Sequence, residues 1–250
     1  MEEHKHIFRE NVIPEVPDLA IYIPNFITQE EEDEITKYVN SAPLPKWTQL
    51  THRRLQNWGG IPHPRGMIAE EIPGWLQKYI NKVSSCDIFE KNKLPNHVLL
   101  NEYLSGQGIM AHSDGPLFHP IVTTISCGSH TLLDFYKRLD STEQHQPNLE
   151  FSFLLERRSL FILQGDLYHN YLHSIAERDT DVVSKSVIKN LSICGDKFSE
   201  GEILKRGTRK LSTLMMIRKR DNNIVGKEVI KFHESANATC FHWNIKMIRH

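Results

Sequence analysis

A histidine and an aspartate two residues apart, followed much later by another histidine, could together bind a metal ion. The pair is His112 and Asp114, and the later residue is His173. Alternate side chains of a strand lie on one face, so the first two can face the same ion. Two histidines and one carboxylate are the ligands of non-heme Fe(II) oxygenases. The spacing therefore favours an iron site, although a His-x-Asp pair alone is expected by chance in a chain with 14 histidines and 31 acidic residues.

His169 is an alternative ligand, because it lies four residues before His173. If this segment were helical, both imidazoles could face one zinc ion, as in the H-E-x-x-H motif. Asn170 stands where that motif has its glutamate, which argues against a zinc peptidase. Either histidine could also be a surface residue or a hydrogen-bonded core residue.

Three further polar residues could bind an anion. Asn101 and Tyr103 share one face of a predicted strand, and they either donate hydrogen bonds to an acidic ligand at a barrel mouth or form a solvated face. Arg209 follows a glycine turn and enters an apolar segment. Its guanidinium could bind a carboxylate through two parallel hydrogen bonds, or it could extend to solvent.

A basic and aromatic stretch precedes these residues in the chain. Such side chains can bind phosphate and stack on bases, but a solvated loop whose tryptophans pack on the core has the same composition. The residues concerned are Lys46, Trp47, His52, Arg53, Arg54, Trp58 and Arg65.

Length and composition restrict the class of protein. A chain of 250 residues with 39% hydrophobic residues can form one large domain, and its net charge of -1 does not require a nucleic-acid partner. The four cysteines lack zinc-finger or redox spacing, which favours reduced thiols inside the cell. Neither a signal peptide nor a membrane span is evident. We expect a monomer in the nucleus and cytoplasm, away from membranes.

Hydrophobic periodicity predicts helices first and strands afterwards. Thr28 and Glu31 form a capping-box pattern before a helix over residues 29–40, and a second helix is predicted over 73–83. The predicted strands are 20–26, 97–104, 123–127, 131–136, 149–155, 159–163 and one within 208–217. This order predicts a mainly β fold with flanking helices, a β-sandwich or jelly roll.

The predicted domain boundaries follow changes in composition. Residues 1–19 are polar and contain two prolines, which indicates a loose arm before a single domain at 20–218. Within the domain, residues 177–207 are mixed and polar and are interpreted as an insertion. The tail at 219–250 has no pattern that can be assigned to the barrel.

The order Asn101-x-Tyr103, His112-x-Asp114, His173, Arg209 resembles the AlkB family of Fe(II)- and 2-oxoglutarate-dependent dioxygenases. The resemblance covers residues 20–209 and includes longer motifs. They are Pro45-Lys-Trp-Thr-Gln-Leu50, Leu55-Gln-Asn-Trp-Gly-Gly60, Pro62-His-Pro-Arg-Gly-Met67, His130-Thr-Leu-Leu-Asp-Phe-Tyr136 and Arg206-Gly-Thr-Arg209.

The resemblance implies a double-stranded β-helix, or jelly roll, that binds Fe(II) and uses 2-oxoglutarate and O2 as cosubstrates. It implies hydroxylation or demethylation of alkylated nucleic acid, with release of succinate, CO2 and formaldehyde, on a single-stranded or flipped base. Residues 46–68 would form the nucleotide-recognition lid. The implied catalytic metal ligands are His112, Asp114 and His173, and the implied 2-oxoglutarate ligands are Asn101, Tyr103 and Arg209.

The chain departs from the family at a second arginine, which usually follows the first by six residues. Met215 occupies that position, and Arg218 could replace the arginine if the strand contains a bulge. This departure affects cosubstrate binding. It leaves open a jelly roll that binds nucleic acid without efficient catalysis. The near-neutral net charge leaves open a second alternative, an oxygenase that acts on a protein or a small molecule.

Overall fold

The computed structural model of the protein describes residues 10–17, 19–63, 66–90, 93–115, 118–138, 148–195 and 197–215. Its helices are α1 (Gln29–Ser41), α2 (Gly74–Ser84) and α3 (Asp166–His169), with a 3-10 turn at Leu44–Lys46. The strands are β1 (Ala20–Ile23), β2 (Trp47–Leu50), β3 (Arg53–Trp58), β4 (Gly60–His63), β5 (Gly66–Ala69), β6 (His97–Tyr103), β7 (Ile109–His112), β8 (Ile121–Cys127), β9 (Thr131–Lys137), β10 (Leu149–Leu155), β11 (Leu160–Gln164), β12 (Tyr171–Ile175), β13 (Thr180–Val182), β14 (Ile203–Lys205) and β15 (Arg209–Met215).

Two antiparallel sheets form the jelly roll. The larger sheet has the order β1-β11-β8-β15-β6-β3-β2, and the smaller has the order β10-β9-β12-β7. Phe135 and Phe153 from the smaller sheet and Phe161 from the larger one belong to one buried apolar cluster, so the core lies between the sheets. The predicted mainly β fold with flanking helices is confirmed.

Helices α1 and α2 cover the other face of the larger sheet. Ile35 and Val39 of α1 and Ile80 of α2 belong to one buried cluster with Val98 and Ile125 of the sheet. The capping box is present, since the Thr28 side chain accepts from the Glu31 backbone while the Glu31 side chain accepts from Thr28 N. Both predicted helices are confirmed to within a residue at each end. No described helix is long and apolar enough to cross a membrane.

Several strands were not predicted. β2 and β3 extend the larger sheet, β4 and β5 form a hairpin, and β13 and β14 form another. β12 carries His173 and pairs with β7 and β9. In the predicted arm, Ile13 is buried and its N–H donates to Ala20 O at 2.9 Å. Arg218 and the predicted tail lie outside the described residues.

Candidate metal centre and anion pocket

Strand pairing brings the predicted metal ligands together. His112 on β7 and His173 on β12 are register partners, and their ring centroids are 4.4 Å apart. Asp114 lies just beyond the end of β7, where its Oδ1 is 3.8 Å from His173 Nε2. One ligand atom from each residue lies within 4.8 Å of the other two. His169 is exposed at the end of α3 and is not part of this group.

The donor atoms of the group suit a divalent cation. The Nδ1–H of His112 can donate to Met110 O at 2.9 Å, which leaves Nε2 for a metal. Burial, followed by the neighbouring His173, lowers the pKa of His112 to about 4 and keeps its imidazole neutral, as metal binding requires. Asp114 Oδ2 is buried without a hydrogen-bond partner among the described residues. A carboxylate oxygen in that position is explained by a bound cation.

The loop that carries Asp114 is held on both sides of the aspartate. Arg138 Nη2 donates to Ser113 Oγ at 2.6 Å, and the Tyr168 hydroxyl donates to Gly115 O, also at 2.6 Å. Asp114 is therefore fixed by its neighbours even though it does not lie on the strand with His112. The prediction that both side chains share one strand face is wrong in this detail.

Arg209 is a buried cation without a counter-ion among the described residues. Its side chain is almost inaccessible, and Nη2 donates to Ser126 Oγ at 3.0 Å. Nε and Nη1 have no hydrogen-bond partner within the described parts of the chain. Burial lowers the pKa of Arg209 to about 10, so the group is still charged at neutral pH. A guanidinium with unpaired nitrogens in this position could bind an anion.

Tyr103 and Asn101 are both buried, so the solvated-face interpretation of these residues is wrong. Tyr103 is the register partner of Arg209 and lines a cavity with His130, Ile175 and Arg209. Burial raises the pKa of Tyr103, while the charges of Arg53, Arg209 and Asp114 also act on it. Tyr103 therefore lies beside Arg209 in the wall of the anion pocket.

A second buried arginine stands beside the pocket. Arg206 donates Nε and Nη2 to the two oxygens of Asp181, each at 2.7 Å, and Nη1 to Ala176 O. Burial alone would raise the pKa of Asp181, but the nearby His130, the hydrogen bonds from Arg206 and the charges of the arginines hold it far below its usual range. This ion pair fixes the chain immediately before Arg209.

In the predicted lid, the described cations are largely engaged within the protein. Arg54 pairs with buried Glu102 and lies over the ring of Trp47, 4.0 Å from its centroid. Lys46 Nζ lies 2.9 Å from Glu70 and 4.5 Å from the ring centroid of Trp58. Trp47 and Trp58 also pack against the apolar cluster beneath the helices, as expected if the tryptophans pack on the core. Arg65 is not among the described residues.

Arg53 has a contact that sequence reasoning missed. Its Nε donates to Asn101 Oδ1 at 3.1 Å, so this lid residue reaches a predicted cosubstrate ligand. The contact depends on the pairing of β3 with β6, in which Leu55 is opposite Asn101. Basic composition alone carries no signal for that pairing.

The fold, the metal group and the buried cation together define a class of iron-dependent oxygenases. Residues 49–207, more than half of the chain, match the 2OG-Fe(II) oxygenase superfamily, and the chain belongs to this family. Enzymes of the superfamily use Fe(II), 2-oxoglutarate and O2, so the chain is a dioxygenase with these requirements.

The similarity extends to AlkB proteins, which confirms the resemblance predicted from the motifs. The chain is 47% identical over 224 residues to the zebrafish (Danio rerio) "Probable RNA/DNA demethylase ALKBH6", a match that covers 87% of this chain and 94% of that protein. It is 25% identical over 221 residues to the mouse (Mus musculus) "tRNA (carboxymethyluridine(34)-5-O)-methyltransferase ALKBH8", covering 82% of this chain and 31% of that protein.

A solved structure supports the fold. The structure of OsALKBH1 superposes with a TM-score of 0.51 at 14% identity, covering 79% of this chain and 97% of that one. At this level of identity the likeness concerns the fold alone.

Proposed function

We propose that this dioxygenase hydroxylates or demethylates alkylated nucleic acid. In this proposal His112, Asp114 and His173 hold the iron, and Arg209 and Tyr103 bind 2-oxoglutarate with Asn101. The observation that carries the proposal is the combination of a His-Asp-His group with an unpaired buried guanidinium, both within electrostatic range of Tyr103. A divalent cation and a dicarboxylate would satisfy both features.

The bound iron, with 2-oxoglutarate and O2, supplies the oxidation of a carbon–hydrogen bond, and the chain supplies position and charge. Arg209 neutralises the distal carboxylate of 2-oxoglutarate in a site closed to water. Met110 O holds the His112 ring in the tautomer that presents Nε2. If the oxidised carbon is an N-methyl group, the hydroxylated product separates into formaldehyde and the amine.

Nucleic acid is the favoured substrate because the relatives are named for activities on nucleic acid. The zebrafish protein is described as an RNA/DNA demethylase, and the mouse protein as acting on tRNA. A base would have to be flipped out or single-stranded to approach the metal group. We propose that residues 46–68, which include β2, β3 and β4, form the lid over such a base. The monomeric state and the nuclear and cytoplasmic location stay predictions.

The proposal is tested by succinate formation from 2-oxoglutarate in the presence of methylated oligonucleotides. We expect turnover that requires iron, 2-oxoglutarate and O2, and we expect His112→Ala or Asp114→Ala to abolish it. His169→Ala is the matched control, because this exposed histidine lies outside the metal group, and it should retain turnover. Unchanged turnover in His112→Ala would contradict the assignment. Oligonucleotide binding without succinate would favour the non-catalytic module.

One observation supports an oxygenase with a different substrate. The lid cations Lys46 and Arg54 are paired with Glu70 and Glu102, which reduces the positive charge available for phosphates. The double substitution of Lys46 and Arg54 by alanine distinguishes a nucleic-acid substrate from a protein or small-molecule substrate. If nucleic acid binds across the lid, oligonucleotide affinity and its dependence on salt should both fall. If neither changes, a protein or small-molecule substrate is favoured.

A further inference from the structure

The second arginine of the family pattern is absent from its usual place on the strand of Arg209. Position 215, at the end of β15, is a methionine. 2-Oxoglutarate carries two carboxylates, one at its keto-acid end and one at its distal end. Arg209 accounts for one of them, and Arg218, the alternative on the same strand, lies outside the described residues. A second cation on another element of the described structure could account for the other carboxylate.

We propose that Arg53, on β3, binds the keto-acid carboxylate of 2-oxoglutarate and replaces the arginine missing at position 215. This inference rests on the proposed roles of the metal group and of Arg209. It changes the architecture of the cosubstrate site, because the two cations then come from strands on opposite sides of β6.

The sheet order places the two arginines symmetrically about β6. β6 lies between β15 and β3 in the larger sheet. On one side Arg209 is the register partner of Tyr103, and on the other side Arg54, the residue after Arg53, is the register partner of Glu102. Arg53 and Arg209 therefore flank the strand segment that carries Asn101 and Tyr103.

Hydrogen bonding and charge distinguish Arg53 from its neighbour. Arg53 Nε donates to the uncharged amide oxygen of Asn101 at 3.1 Å, and Arg53 forms no ion pair with a carboxylate of the described residues. Arg54, next along the strand, is paired with Glu102. Arg53 therefore retains its positive charge for a ligand, whereas Arg54 is neutralised within the fold.

The lining of the cavity assigns the two arginines to different ends of the cosubstrate. The cavity at Arg209 is also lined by Tyr103, His130 and Ile175, and none of the three metal ligands lines it. Arg209 therefore faces the distal carboxylate. The keto-acid end of 2-oxoglutarate, which chelates iron in this family, would face Arg53, which contacts Asn101 across β6 from Arg209.

The test uses binding rather than turnover. Under anaerobic conditions, Fe(II)-loaded full-length protein is titrated with 2-oxoglutarate and with 2-oxovalerate, and the metal-to-ligand charge-transfer band is followed. The second acid has the same chain length but a methyl group in place of the distal carboxylate. Its dissociation constant divided by that of 2-oxoglutarate measures recognition of the distal end alone.

We expect Arg53→Gln to weaken the binding of both acids by a similar factor, about 10- to 100-fold for the loss of a charged hydrogen bond. The ratio of the two dissociation constants should stay at the wild-type value. Arg209→Gln should instead weaken the binding of 2-oxoglutarate alone and so reduce the ratio of the two dissociation constants. Arg53→Lys, which keeps the charge but not the planar fork, should have an intermediate affinity for both acids. Lys78→Gln is the control, because it removes an exposed cation on α2 that is paired with Glu34, and it should bind both acids like the wild type.

Three results would overturn the inference. The first is unchanged affinity of Arg53→Gln for both acids. The second is a reduced ratio of dissociation constants in Arg53→Gln, as expected for Arg209→Gln. The third is a loss of oligonucleotide affinity in Arg53→Gln with intact 2-oxoglutarate binding, which would make Arg53 a nucleic-acid contact. Thermal melts identify a variant that fails to fold, and the Arg53→Lys titration then decides. If the wild type itself gives no band, the proposed function fails, which is a different result from a wild-type band that Arg53→Gln leaves unchanged.

Discussion

Arg206 and Arg209 lie three residues apart and are both buried, with 7% and 3% of their surfaces exposed, but they have opposite surroundings. Arg206 faces both oxygens of Asp181 and the carbonyl oxygen of Ala176. Arg209 donates to the Ser126 hydroxyl, while Nε and Nη1 lack a partner among the described residues. One guanidinium is satisfied by the fold, and the other is left for a ligand.

The comparison shows that burial alone does not identify a functional charge. An ion pair buried with good geometry holds the chain in place, whereas a buried charge without a partner destabilises the protein until an anion binds. The two roles are connected here. Arg206 N–H donates to Asp179 O and Gly207 N–H to Ser129 Oγ, so the segment before Arg209 is fixed by its neighbours. The structural arginine thereby positions Arg209, the proposed ligand of 2-oxoglutarate.

The largest effect is expected for Arg206→Gln. Removing this guanidinium leaves Asp181 buried with fewer partners, so the free energy of unfolding should fall by about 3–5 kcal/mol. Urea denaturation at neutral pH measures the loss.

The matched control is Arg178→Gln. Arg178 contacts the same aspartate at 2.9 Å, but its side chain is 41% exposed. Its removal should cost about 1 kcal/mol or less, because solvent screens the pair. Equal losses in the two variants would show that the buried pair has no special role in stability.

Arg209→Gln should not destabilise the ligand-free protein, in contrast to Arg206→Gln, but should reduce its stabilisation by 2-oxoglutarate. The substitution removes an unpaired buried charge, so the ligand-free protein should unfold with a free energy equal to or above that of the wild type. Wild-type protein with Mn(II) and 2-oxoglutarate at 100 times its dissociation constant should gain about 2.7 kcal/mol of stability. The variant should lose most of that gain. Thermal melting with and without 2-oxoglutarate measures both effects.

Serine at position 126 offers a control for this prediction. Ser126→Ala removes the hydroxyl that Arg209 contacts in the described structure but keeps the charge. It should retain most of the stabilisation by 2-oxoglutarate. If Arg209→Gln also retained the full gain, the anion would have to bind elsewhere.

Much of the fold could be predicted because local signals agree with the tertiary structure. The capping box at Thr28 and Glu31 marks the beginning of α1, and the strand predicted at 149–155 has the bounds observed for β10. β3 could not be predicted in the same way. Its polar residues Gln56 and Asn57 are placed in a strand by pairing with β6, and tertiary context overrides their weak intrinsic preference.

The candidate site could likewise be predicted only where local sequence determines it. The order of His112, Asp114, His173 and Arg209 was enough to select candidates, because a motif depends on residue types and spacing. The sequence could not show which of two neighbouring arginines is free. That depends on Asp181, which lies 25 residues before Arg206 in the chain and contacts it only through the folded structure.

His97 provides the smallest test of the comparison. It is a buried polar side chain without a hydrogen-bond partner among the described residues, and it is not a proposed ligand of the cosubstrate. It is 1% exposed, and neither ring nitrogen has a hydrogen-bond partner within the described chain. Burial, followed by the charge of Lys46, lowers the pKa of His97 to about 4. In the unfolded chain its pKa is about 6.5.

The unfolded state therefore binds more protons than the folded state between these two pKa values. The stability associated with neutral His97 is fully present above the unfolded pKa and is lost as the pH falls towards the folded pKa. Between pH 7 and pH 5 the wild type should lose roughly 2 kcal/mol from this residue. His97→Phe should lose correspondingly less, as measured by urea denaturation at both pH values, and the exposed His169→Phe should behave like the wild type. If His97→Phe were as acid-sensitive as the wild type, the burial of this imidazole would not control its protonation.

Stabilisation by 2-oxoglutarate should be the same in His97→Phe and the wild type. A buried group without a hydrogen-bond partner contributes to binding only where it faces the ligand, as we propose for Arg209.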